Sequence, residues 1–159
     1  MSNDTDKKYL KRAVELAKKS VEKGGFPAGA LVVKDGEIIS EGISVGYILH
    51  DPTSHAETAS IREACKALQT SNLEGATLYE NLQSCIMCFS VAYWAGISRI
   101  VAGCRKTEDM AQKGYYEGLG SIQELNQLNN RKIDLEYMLD FEQESLDIIK
   151  TWEEKQNEN

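Results

Sequence analysis

Two short segments, His55-Ala56-Glu57 and Cys85-Ile86-Met87-Cys88, constrain this chain more than any other part of it. They gather one imidazole, two thiols and a carboxylate, and each stands where a strand gives way to a helix. Cys85 and Cys88 are three positions apart, so on a helix they share a face. In a first helical turn the unpaired N–H groups and the positive dipole end lower a thiol's pKa, which suits a metal-binding thiolate. Structural zinc usually takes four protein ligands, whereas a catalytic site takes three and leaves a position for water. Glu57 and His55 face differently on an ideal helix, and only a distorted first turn lets both approach one point. The carboxylate therefore fits an acid/base role beside a metal better than that of a fourth ligand.

The pattern around these segments predicts an α/β chain. Apolar Tyr9, Leu10, Ala13, Leu16, Ala17 and Val21 recur at helical spacing until Gly24-Gly25, with lysines on the opposite face. Residues 28–34 and 37–42 are β-rich runs joined at Asp35-Gly36, a strong hairpin signal. Residues 43–50 are expected to be a loop. Asp51-Pro52-Thr53 then looks like a helix start, with Asp51 or Thr53 capping and Pro52 in the first turn. Helices are expected over 54–68 and 84–95, strands over 76–80 and 99–104, and the alternation points to parallel crossovers. Beyond Gly103 glycines mark loops, Ser121 begins a capping box, 132–138 alternates as a strand, and a last helix starts near Asp140. Two parallel strands would bring both motif helices to one edge of the sheet, where α/β folds place their ligands.

A chain of 159 residues with 42% apolar residues suits one domain over 1–159 with one core. No apolar run is long enough for a bilayer and the N-terminus lacks a signal peptide's pattern, so a cytoplasmic, reducing location and no membrane partner are expected. The four cysteines are then thiols or metal ligands. Cys65 and Cys104 are expected to be small core residues. A net charge of −7 disfavours a nucleic-acid partner, which needs clustered Lys and Arg.

Cys-x-x-Cys at a helix start is shared with redox proteins, but His-Ala-Glu one βα unit upstream favours zinc. The pairing of His-x-Glu with Cys-x-x-Cys resembles the cytidine deaminase superfamily of zinc-dependent nucleobase and nucleoside deaminases. The likeness covers 10–103 and is greatest to guanine and cytosine deaminases and tRNA adenosine deaminases. It implies a three-layer fold, a mixed five-stranded sheet with helices on both faces. It also implies that His55, Cys85 and Cys88 hold one Zn2+ per chain, that Glu57 shuttles protons in hydrolytic release of ammonia, and that the Ala56 N–H holds a substrate carbonyl. A homodimer is implied in the same way. A deaminase-fold binding module without activity is the reading of another class, and the intact Glu57 argues against it.

The chain departs from these relatives at two places. Ser84 stands where they carry proline before the first cysteine, and Ser44 stands where they carry a base-reading Asn. Ser44 still offers a hydrogen bond, without the amide's two-point contact. In the C-terminal third, Glu117 and Glu144 are candidates to contact the base, and Trp152 is expected as a core anchor. The tail from Glu153 to Glu158 carries one positive charge, so a free base, guanine first, ranks above tRNA adenosine and above cytosine or cytidine.

Overall fold

The computed structural model describes residues 3–158. Helix α1 (Asn3–Glu22) leads into the hairpin β1 (Phe26–Lys34) and β2 (Glu37–Ser44), and a single turn of helix α2 (Gly46–Leu49) follows. Then come α3 (Ala56–Leu68), β3 (Thr77–Glu80), α4 (Ile86–Trp94) and β4 (Arg99–Ala102). The last part holds α5 (Glu108–Gln112), α6 (Ile122–Leu128), β5 (Asp134–Tyr137), a 3₁₀ turn (Leu139–Phe141) and α7 (Glu142–Asn157). The five strands form one sheet in the order β2-β1-β3-β4-β5. β1 pairs antiparallel with both β2 and β3, and β3–β4 and β4–β5 are parallel.

The hairpin turns at Asp35 and Gly36, both with positive φ (53° and 76°), as a two-residue turn matched to strand twist requires. β1 sits between two neighbours and is buried from Pro27 to Val33, which explains its unbroken apolar run. Side chains divide cleanly between the faces. Tyr9, Leu10, Ala13 and Leu16 of α1 pack on Leu31, Val33, Tyr79 and Val101 on one face. Ile61 and Ala64 of α3 and Phe89 and Ala92 of α4 pack on Ala30, Val32, Leu78 and Ile100 on the other. Helices therefore cover both faces, and among the described residues no helix is long and apolar enough to cross a membrane.

β2 and β3 run in the same direction with β1 between them, so α3 and α4 both start at one edge of the sheet. Gly42 sets the closeness of the first of these approaches. A Cβ there would collide with the Ala56 carbonyl oxygen and the Ser60 backbone, so only glycine lets β2 lie against the start of α3.

Local boundaries differ from expectation in three places. The stretch expected as a loop continues β2 as far as Ser44 and then forms α2. Helix α3 is capped by His55, and Asp51 instead closes a turn by accepting from the Thr53 N–H (2.9 Å) and hydroxyl. Pro52 belongs to that turn and is not in the helix. Helix α5, within a stretch expected to be glycine-marked loop, is capped by the Thr107 hydroxyl.

Candidate metal centre and active site

His55 precedes α3 with extended backbone (φ −80°, ψ 170°), and its N–H is held by the Thr58 hydroxyl at 2.9 Å. Because it lies outside the helical repeat, its ring need not follow the helix face, and Glu57 in the first turn can approach the same space. Cys85 is placed likewise at the start of α4 (φ −73°, ψ 172°), and its sulfur accepts from the Cys88 N–H at 3.4 Å. The His55 Nδ1 lies 3.5 Å from Cys85 Sγ and 3.4 Å from Cys88 Sγ. All three donor atoms fall within 4.8 Å of one another, and both cysteines are buried.

One imidazole and two thiolates converging at this spacing are a donor set suited to zinc, with room left for a fourth, non-protein ligand. The electrostatics favour thiolate at Cys85. The Cys88 thiol beside it, with the His55 ring and the Cys88 N–H, outweighs burial and draws Cys85 down to about 5. The shared hydrogen bond and burial push Cys88 up. His55 is raised, first by its hydrogen bond to Cys85. Glu57 is 5% exposed, and burial, with the Cys85 charge added, pushes it up to about 7. A carboxyl that can hold or release a proton near neutrality is what a general acid/base needs.

These groups stand at the foot of a cavity of about 700 Å³ lined by His55, Glu57 and Cys85. Its wall includes Phe26, Tyr115 and Trp152, whose rings meet edge to face with centroids 5.1–5.7 Å apart. Ser44, His50 and Tyr116 also line it, and among the described residues the lining contains no Lys or Arg. The Trp152 Nε1 is buried without a hydrogen-bond partner.

The sequence candidates thus divide. His55, Glu57, Cys85 and Ser44 share the cavity, and Cys88 lies directly behind it. Ser44 ends β2 with its backbone N–H and carbonyl both tied to the Ser20 hydroxyl, at 3.1 and 3.2 Å. Ala56 is fully buried as the first residue of α3. Glu117 and Glu144 do not line the cavity. Glu117 accepts from the Ile86 and Met87 N–H groups, and Glu144 pairs with Lys18 at 2.8 Å on the surface. Trp152 is in the cavity wall and only partly buried, where an anchor was expected. Phe26 went unnoticed because only the tertiary fold brings the corner after Gly24-Gly25 against Tyr115 and Trp152.

A family profile described as the cytidine and deoxycytidylate deaminase zinc-binding region matches residues 3–104. The chain is 45% identical over 93 residues to a tRNA-specific adenosine deaminase of Aquifex aeolicus, covering 58% of this chain and 62% of that protein. It is 43% identical over 108 residues to a guanine deaminase of Bacillus subtilis, covering 67% and 69%. The match thus spans less than two thirds of the Aquifex relative's length. Among solved structures, a tRNA:A34 deaminase superposes with a TM-score of 0.76 at 31% identity, over 88% of this chain and 97% of that one. The B. subtilis guanine deaminase superposes at 0.66 with 34% identity, over 97% and 95%. The chain belongs to the cytidine and deoxycytidylate deaminase family.

Proposed function

We propose that this chain is a zinc-dependent aminohydrolase that replaces the exocyclic amino group of a nucleobase with oxygen and releases ammonia, with guanine as its first-ranked substrate. The observation that carries the reading is the arrangement of His55, Cys85 and Cys88 with Glu57 beside them at the foot of an aromatic-walled cavity. His55, Cys85 and Cys88 would hold the metal, which would supply Lewis acidity and make water nucleophilic near neutral pH. Glu57 takes one proton from the attacking water and delivers it to a ring nitrogen, so that the amine-bearing carbon becomes electrophilic. It then takes the second proton from the newly bound hydroxyl and passes it to the amine, which leaves as ammonia as the carbonyl forms. Phe26, Tyr115 and Trp152 hold the flat ring by stacking and edge contacts. The Ser44 hydroxyl and the Ala56 N–H serve as hydrogen-bonding groups for the base edge.

The absence of Lys and Arg from the lining favours a neutral free base over a phosphate-bearing substrate. Of the cations nearby, Arg105 pairs with Glu142 and Lys113 with Asp109 and Glu153, while Lys106 lies over the Tyr116 ring and donates to the Gly120 carbonyl. The second reading, deamination of a tRNA adenosine, is supported by the 45% identity to the Aquifex enzyme. Single-turnover ammonia release from guanine, cytosine, their nucleosides and a tRNA anticodon stem-loop separates them. Release from guanine is the expected result, and efficient reaction of the RNA alone overturns the ranking. Trp94 and Leu128, both 81% exposed and lining one surface groove with Tyr93, support a homodimer through this face. Sedimentation of a Trp94→Glu variant as a monomer, beside a dimeric parent, checks it.

A further inference from the structure

The backbone that carries Cys85 is gripped from two sides by carboxylates that the reaction itself does not use. Glu80, the fully buried last residue of β3, accepts from the Ser84 N–H at 2.7 Å and from the Ser84 hydroxyl. Glu117, in the segment between α5 and α6, accepts from the Ile86 N–H at 3.2 Å through one oxygen and from the Met87 N–H at 3.1 Å through the other. The next two N–H groups are satisfied by Cys85 itself, Cys88 N–H by its sulfur and Phe89 N–H by its carbonyl.

Each grip has a physical reason. A fully buried carboxyl bonded to serine, with Glu57 and Cys85 as charged neighbours, is costly, so its persistence there points to a use. Proline at position 84 has no N–H and no hydroxyl to offer, so the Glu80 contact depends on this chain having serine there. Glu117 sits at the positive end of the α4 dipole and satisfies donors that the helix cannot.

We propose that Glu80 and Glu117 are positioning residues for the cysteine pair. They fix the backbone over 84–87 so that both sulfurs already face His55 Nδ1 before metal arrives. Pre-ordering of this kind removes a cost that binding would otherwise carry. The proposal rests on the zinc reading above, and it moves Glu117 from base contact to metal support.

Zinc affinity, measured by chelator competition on the full chain, tests it without reference to turnover. Glu117→Ala is expected to weaken zinc by about tenfold to a hundredfold, the usual range for groups that orient ligands. Glu117→Gln keeps one acceptor oxygen and is expected to fall between the two. In the metal-free parent the Ile86 and Met87 amides are expected to be protected from hydrogen exchange, and in Glu117→Ala to exchange freely. Ser84→Pro strands Glu80 and is expected to lose zinc, whereas Glu80→Leu/Ser84→Pro regains much of it because both polar partners are gone. If Ser84→Pro does not fold, the exposed Glu117 still decides the matter. Added zinc recovers turnover in Glu117→Ala, which it cannot do for a lost substrate contact. An unchanged zinc affinity in Glu117→Ala, or a loss expressed only in KM, overturns the proposal. A parent chain that binds no zinc overturns the zinc reading instead.

Discussion

The two ends of the cavity are built differently. At the metal end, hydrogen bonds account for the N–H groups of Ser84 and of residues 86–89, and His55 and the cysteine sulfurs face one another across about 3.5 Å. Elsewhere the cavity wall carries the rings of Phe26, Tyr115 and Trp152, which meet edge to face, and the Trp152 Nε1 is buried without a partner. The first end is tied by hydrogen bonds within the fold. The second carries an unpaired buried donor, at a cost of about 1–3 kcal/mol.

The largest effect should come from the metal end. Glu57→Ala is expected to lower turnover by about 10²–10⁴-fold while keeping zinc. Cys85→Ser should lose zinc and turnover together, and ammonia release read beside metal analysis distinguishes the two.

A structural pair on the opposite face sharpens the contrast. Tyr79 and Arg99 both bond Asp6, the guanidinium through two nitrogens at 2.9 and 2.7 Å. Asp6→Ala should cost on the order of 3 kcal/mol in urea unfolding, with zinc content and KM unmoved. Arg99, foremost, holds Asp6 below its ordinary value. The folded form therefore resists protonation, so the contribution is fully present above the ordinary aspartate pKa. It is lost as pH falls through the lowered one, and parent and variant should converge in acid.

At the aromatic end effects should be smaller and confined to binding. Trp152→Ala is expected to raise KM by roughly tenfold, since base–aromatic stacking is worth about 1–3 kcal/mol, with zinc retained. Trp152→Phe should recover most of that. Ser44→Asn adds a donor and an acceptor at the cavity wall and should lower KM for guanine by a few-fold, roughly one hydrogen bond's worth. A loss of zinc in either Trp152 variant would show that the two ends are not separable.

The same division governs what could be read in the sequence. The metal end is local. His55 and Glu57 lie within one turn, Cys85 and Cys88 within another, and strand direction alone brings the two helix starts together. Asp35-Gly36 is legible for the same reason, because a two-residue turn needs those residues wherever it occurs. The places of Glu117 and Glu144 are not legible, because nothing near them in sequence reveals their partners. Ile86 lies 31 positions from Glu117, and Lys18 lies 126 from Glu144. Glu80 passed as a strand end, since its partner becomes visible only when the backbone turns back at Ser84. The start of α3 shifted by two residues because Asp51 satisfied Thr53 in a turn of its own, leaving the cap to His55.

The proposed hydrolytic deamination rests on the metal end. Titrating zinc into metal-free protein while following ammonia release from guanine and the reactivity of the Cys85 and Cys88 thiols tests it most directly. Turnover is expected to rise with zinc and saturate at one equivalent per chain, with both thiols protected at the same point. Full turnover without metal, or a reversible Cys85–Cys88 disulfide with no zinc binding, would contradict it.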